Sequence, residues 1–316
     1  MPSFWQSAIG SVALAALLPA VWGDAPGLLF PTVPESGWIG MRLVVLPQSR
    51  AVQHYGYQEL YRDTDKNLAS RTDKDFAPLP YAPYAGRVAC IVRIEQGHGP
   101  NGEALDEADL RFEDTKEIVH GDIDHGCMND VAPANDLENA KKQYVGRTLW
   151  LASDHLSTYE ADKDVSDAPD SPALQQAFKR VKIKQYSPVR ILEVVPGWYA
   201  RAPVRFVVQV EATKETGYMD VHMSDTNVPS DLQAKSRFED VFLEANPRKV
   251  YLWPAKVWAA IEDRQVYAGM TAQQVRFSWG TPKAVRAISL AEQQWTYAPG
   301  YRLALKDGIL VAILKL

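Results

Sequence analysis

An aromatic residue, one further residue, a glycine, two more residues and then an apolar run recur along this 316-residue chain. Trp38 and Gly40 precede residues 43–46, Tyr84 and Gly86 precede residues 89–92, and Tyr144 and Gly146 precede residues 149–151. Tyr186 begins a looser fourth copy, with Pro188 in the glycine place and residues 191–195 following. A glycine just before a strand permits a bend that a side chain would block. The pattern therefore predicts short strands, each entered through a bend. Residues 204–210 and 218–223, rich in valine and aromatics, read as further strands. The four aromatics are unevenly spaced, which excludes a solenoid. The expected fold is mainly β, as small barrels or sheets laid end to end.

The length allows two or three domains. Hydrophobic residues are 46% and charged residues 23%, which excludes whole-chain disorder and a polytopic membrane protein. A net charge of −5 excludes the basic excess that nucleic-acid binding calls for. Residues 157–172 are polar and acidic with two prolines, and read as a linker. Ser171-Pro172 and the pair Ser230/Gln233 read as helix starts. A second boundary falls near Asn246-Pro247. The expected order is thus 1–23 an address, 24–156 β modules, 157–172 linker, 173–246 a β module with flanking helices, and 247–316 a last domain.

Residues 1–23 hold no Lys, Arg, Asp or Glu, and residues 11–22 form an apolar run of signal-peptide length. Val21 and Gly23 suit cleavage before Asp24. The expectation is a cleaved export signal and a periplasmic or secreted protein, with no membrane span in the mature chain; an uncleaved N-terminal anchor and an ordinary buried segment are the alternatives. No cysteine lies near residue 24, so no lipid anchor of the lipoprotein type is expected. An oxidising compartment favours joining Cys90 to Cys127, the only two cysteines. Such a bond is worth at most about 4 kcal/mol in the chain-entropy model. Two separate buried thiols are the alternative.

The last 67 residues carry the most local signals. Pro254 opens a helix with Val257, Trp258 and Ile261 on one face. Thr271 and Gln274 form a capping box for a second helix, which carries Val275 and Trp279 and stops at Gly280 with Pro282 behind it. Three strands follow, turning at Pro299-Gly300 and at Asp307-Gly308, the latter a strong hairpin signal. The expected C-terminal fold is α+β: two helices on a three-stranded antiparallel sheet. Gly269-Met270-Thr271, Val275, Ser278-Trp279-Gly280, Pro282, Gln294-Trp295-Thr296-Tyr297 and Asp307-Gly308, in that order, resemble the SmpA/OmlA (BamE-like) family over about residues 250–316. That resemblance implies a bacterial envelope protein in the setting of outer-membrane assembly or maintenance, with acidic phospholipid as a contact. The N-terminal modules resemble, in style only, small Src-homology-3-like barrels.

His120, Asp122, Asp124, His125 and Cys127 lie within eight residues and are all metal-ligand types. Their spacing matches no zinc signature, and the surrounding stretch is strongly acidic, so a solvated acidic turn is the simpler reading and no metal is expected. Gly97, Gly99 and Gly102 match a dinucleotide pattern literally, but no βαβ alternation surrounds them, and they read as a turn. No cofactor is expected. Residues 250–316 hold eight Lys/Arg and four Asp/Glu, so they are basic within an acidic chain. Arg276, Lys283 and Arg286 are the expected contact surface for an envelope protein partner or acidic lipid. The sequence thus points to a non-enzymatic interaction or scaffold protein. The alternatives are an envelope or cell-wall hydrolase using the 120–127 stretch, and a secreted enzyme inhibitor.

Overall fold

The computed structural model describes residues 30–50, 52–63, 76–98, 104–124, 126–159, 178–228, 236–297 and 300–315. The expected signal at 1–23, the helix starts at Ser171 and Ser230, and most of the expected linker lie outside them.

The strands form three sheets. The first contains β1 (Arg42–Val45), β2 (Tyr57–Asp63), β3 (Phe76–Leu79), β4 (Val88–His98), β5 (Ala104–Phe112), β6 (Ile118–Ile123) and β7 (Val131–Pro133). The second contains β8 (Thr148–Leu151), β9 (His155–Tyr159), β10 (Phe178–Lys182), β11 (Ser187–Pro196), β12 (Val204–Val210), β13 (Thr216–Val221) and β14 (Phe242–Leu243). The third contains β15 (Ala284–Ala287), β16 (Glu292–Tyr297), β17 (Tyr301–Lys306) and β18 (Ile309–Lys315). The described helices are α1 (Tyr81–Tyr84), α2 (Ala134–Tyr144), α3 (Phe238–Val241), α4 (Pro247–Val250), α5 (Ala255–Glu262) and α6 (Ala272–Trp279).

This corrects the expected fold class. In place of small modules followed by an α+β domain, the protein is mostly β, with two large curled sheets of seven strands and one of four. Its six described helices are short. The terminal sheet has four strands where three were expected, because residues 284–287 pair with β16 from Ala284↔Thr296 to Ala287↔Gln293. That strand is exposed throughout, so no burial periodicity marks it. β9 and β10, which flank the expected linker in sequence, pair with each other in the second sheet, so no change of sheet falls between them. The change of sheet falls at α2.

The two large sheets are copies of one unit. Their strand orders are β3-β2-β6-β5-β4-β1-β7 and β10-β9-β13-β12-β11-β8-β14, which coincide when every strand is moved on by seven. Irregularities coincide as well. The ladder slips between Ile91 and Arg93 in one unit and between Ile191 and Glu193 in the other. The β5–β6 turn reads Glu-Asp-Thr-Lys-Glu from Glu113, and the β12–β13 turn Glu-Ala-Thr-Lys-Glu from Glu211. Lys116 and Lys214 take φ of 64° and 62° there. The bonds from Phe112 N to Glu117 O and from Val210 N to Glu215 O are both 2.9 Å.

The aromatic-glycine pattern has a matching cause. Trp38, Tyr84 and Tyr144 are buried, and the glycine two residues on has positive φ each time, 89°, 77° and 82°. Gly86 N donates to Val45 O, and Gly146 N to Ile191 O, so each turn is pinned to the strand beside its own. Two such turns per unit explain the uneven spacing of the motif.

Each unit has its own core. Leu43, Tyr57, Ile91, Leu110 and Phe112 contribute to the first, and Leu149, Val189, Phe206, Val208 and Phe238 to the second. A loop after β13 clasps the units together. Asn227 accepts from Met128 N at 2.7 Å and donates to Met128 O and Val131 O, and the Ser224 hydroxyl donates to Asp136 of α2 at 2.5 Å. The C-terminal module docks on the second unit through Tyr186, whose hydroxyl donates to Phe277 O at 3.0 Å inside a shared aromatic core. Within that module the capping box is present, with Thr271 N on Gln274 Oε1 and Gln274 N on Thr271 Oγ1. Asp307 and Gly308 both have positive φ, as a two-residue turn between β17 and β18 requires.

Candidate functional site

Strand pairing brings together residues that are distant in sequence on one face of the first unit. Arg93 of β4 lies opposite Asp109 of β5, Asp109 opposite His120 of β6, and His120 opposite Tyr61 of β2. One step along, Glu107 lies opposite Asp122. Alternation along a strand puts Glu107 with Asp109, and His120 with Asp122, on the same face. The intervening Ala108 and Leu110 fill the core.

His120 Nδ1 is 2.9 Å from Asp109 Oδ1 and 3.4 Å from Glu107 Oε1. Arg93 Nε donates to the other Asp109 oxygen at 2.7 Å. The Tyr61 hydroxyl lies 2.6 Å from Glu107 Oε2 and 3.0 Å from Asp122 Oδ1. Burial, reinforced by these carboxylates, pushes the Tyr61 hydroxyl far above its ordinary pKa, so it stays protonated as a donor. The side chains of Glu107, Asp109 and His120 are only 12–13% exposed.

Of the residues singled out from the sequence, His120 and Asp122 belong to this cluster. Asp124 lies beyond the strand end, where it is exposed and bridged to Cys127, and His125 lies outside the described residues. Glu107 and Asp109 were missed. Their signal was the i, i+2 spacing of acids on a strand that faces the His120 strand across a hairpin.

The cysteines correct another expectation, for Cys90 and Cys127 are both free. Cys127 is buried in a small core shared with Leu46, Ala132 and Ala200, and its thiol donates to Asn227 O at 3.4 Å. Burial first, then the charges of Glu59 and Asp124, push that thiol up to about 12. It remains a thiol at neutral pH, which withholds the thiolate a hydrolase would need.

The three basic residues separate. Arg276 is half-buried on α6, its guanidinium 4.9 Å from the centre of the Trp295 ring. Lys283 and Arg286 are exposed, Arg286 within the edge strand β15 and Lys283 just before it. The β15–β16 hairpin ends in an apolar tip, where Ile288 is exposed and Leu290 fully so. Bonds from Ile288 N and Ser289 N to Glu292 O close that tip. A cleft of about 670 Å³ between the second unit and the C-terminal module is crossed by Arg264–Asp154 and Lys184–Glu262 ion pairs, so it is a docking seam.

The chain matches no protein-family model, no curated protein and no solved structure. No helix among the described residues is long and apolar enough to cross a membrane.

Proposed function

We propose that this is a non-enzymatic interaction protein of the bacterial envelope, in which the C-terminal module makes the contact and the two β units carry it. The observation behind the reading is the β15–β16 hairpin, an exposed apolar tip of Ile288 and Leu290 with Lys283 and Arg286 on the same arm. Apolar side chains at a tip enter the headgroup–acyl boundary of a bilayer, and neighbouring cations meet its phosphates. The partner is accordingly an acidic phospholipid surface. The uncharged apolar start of the chain and the resemblance of residues 250–316 to the SmpA/OmlA family support an envelope location.

Sedimentation of the full chain with vesicles tests this. Binding is expected to phosphatidylglycerol-containing vesicles and not to pure phosphatidylcholine, weakening as salt rises. Each cation near an anionic surface contributes about 1 kcal/mol, so Lys283→Glu with Arg286→Glu should weaken binding at least about tenfold. Leu290→Asp should weaken it without changing the melting temperature. No preference for anionic vesicles, or equal binding by all variants, would overturn the reading.

A further inference from the structure

The two units serve as controls for each other. Counting from their equivalent turns, the cross-strand pair Glu107–Asp122 corresponds to Arg205–Asp220, and Asp109–His120 to Val207–Tyr218. In the second unit Arg205 grips Asp220 with two bonds of 2.7 Å, and the guanidinium is stacked between Trp198 and Tyr218. The same place in the first unit reverses the charge, setting one carboxylate directly across from another. Like charges in that position destabilise a sheet. The fold does not require them, because its second copy forms with Arg and Val there. Such a departure from a local rule marks a functional position.

The geometry points to a divalent-cation site formed by Glu107, Asp109 and His120, with Asp122 beside it. One imidazole nitrogen and two carboxylate oxygens converge, all within 4.8 Å of one another. The imidazole nitrogen lies 2.9 and 3.4 Å from the two oxygens. Ligand atoms about 2.0–2.2 Å from one ion stand roughly 3–3.5 Å apart, so little rearrangement is needed. A mixed nitrogen and carboxylate set suits a first-row transition ion, Zn²⁺ or Mn²⁺, better than Ca²⁺. Tyr61 and Arg93 would orient Glu107 and Asp109 by bonding the oxygens turned away from the imidazole. His120 must bind through Nδ1 as the neutral ring with its proton on Nε2, so a neutral ring protonated on Nδ1 changes tautomer and only an imidazolium releases a net proton to solvent.

The test uses the full chain after treatment with a chelator, titrated calorimetrically with Zn²⁺, Mn²⁺ and Ca²⁺. One Zn²⁺ or Mn²⁺ per chain is expected. Glu107→Arg combined with His120→Tyr gives the first unit the Arg–Asp pair of the second and sets the second unit's tyrosine opposite Asp109. This variant should melt like the parent and bind at least 100-fold more weakly. Asp109→Asn, nearly isosteric, should weaken binding at least tenfold and serves if the double variant fails to fold. Uptake of neither ion, or parent-like binding by the folded double variant or by Asp109→Asn, would overturn the proposal.

Discussion

Asp130 shows how one group can tie stability to pH. It sits in the turn before β7, partly buried beside Glu59. Burial first, then the charge of Glu59, raises its carboxyl from 3.8 to about 6. Among the described residues its carboxyl accepts two long bonds, from Glu59 N at 3.4 Å and Gln48 Nε2 at 3.5 Å. Between about pH 4 and pH 6 the folded state therefore holds a proton that the unfolded chain has released. Stability from this group falls as pH rises through that window, by about 2–3 kcal/mol in all. Asp130→Asn keeps an acceptor for Glu59 N and removes the charge. It should raise stability by about 2 kcal/mol at pH 7.5 and by almost nothing at pH 4, read from urea denaturation at both values. An unchanged difference across that range would show that Asp130 does not titrate in the window.

Single elements also separate the three basic residues that look alike in sequence. Arg276 is half-buried with its guanidinium over Trp295, whereas Lys283 and Arg286 lie on an edge open to water. A cation over an indole contributes about 1 kcal/mol, and solvated charges contribute close to nothing. Arg276→Gln should therefore cost about 1 kcal/mol in denaturant, and Lys283→Gln with Arg286→Gln less than about 0.5 kcal/mol; equal losses would contradict that division. Local chemistry was readable in this module because its signals are short: a capping box at Thr271, a stop at Gly280, a hairpin at Asp307-Gly308. β15 was not readable, since an exposed edge strand has no buried side to set a period. The metal-type cluster was half readable. His120 and Asp122 stood out as neighbours, but Glu107 and Asp109 join them only through a strand register that sequence spacing does not reveal. The bends at Gly40, Gly86 and Gly146 were visible as a motif. Their grouping in pairs was hidden because the motif occurs twice in each unit.

Among the polar contacts that join the two units and the terminal module in the described residues, Asn227 makes three through its side chain alone. It is 2% exposed and has φ of 57°, a left-handed backbone that asparagine tolerates better than most residues. From the second unit its amide completes three hydrogen bonds to the first unit's backbone, at Met128 N, Met128 O and Val131 O. A leucine there would leave those groups buried without this partner, at about 1–3 kcal/mol for each one unsatisfied, and would add strain at the positive φ. The cost falls on the contact between units and spares the core of each. Asn227→Leu should therefore uncouple them, so that one transition on heating becomes two. Tryptophans can report the split: Trp38 lies in the first core, and Trp258 and Trp295 lie in the third. Single-tryptophan versions of the variant, retaining Trp38 or Trp258, should then melt at different temperatures, with Trp38 reporting the lower one. Coincident melting of both probes near the parent temperature would mean that the units are joined by packing around Leu46, Cys127 and Ala200, with the Asn227 clasp contributing little.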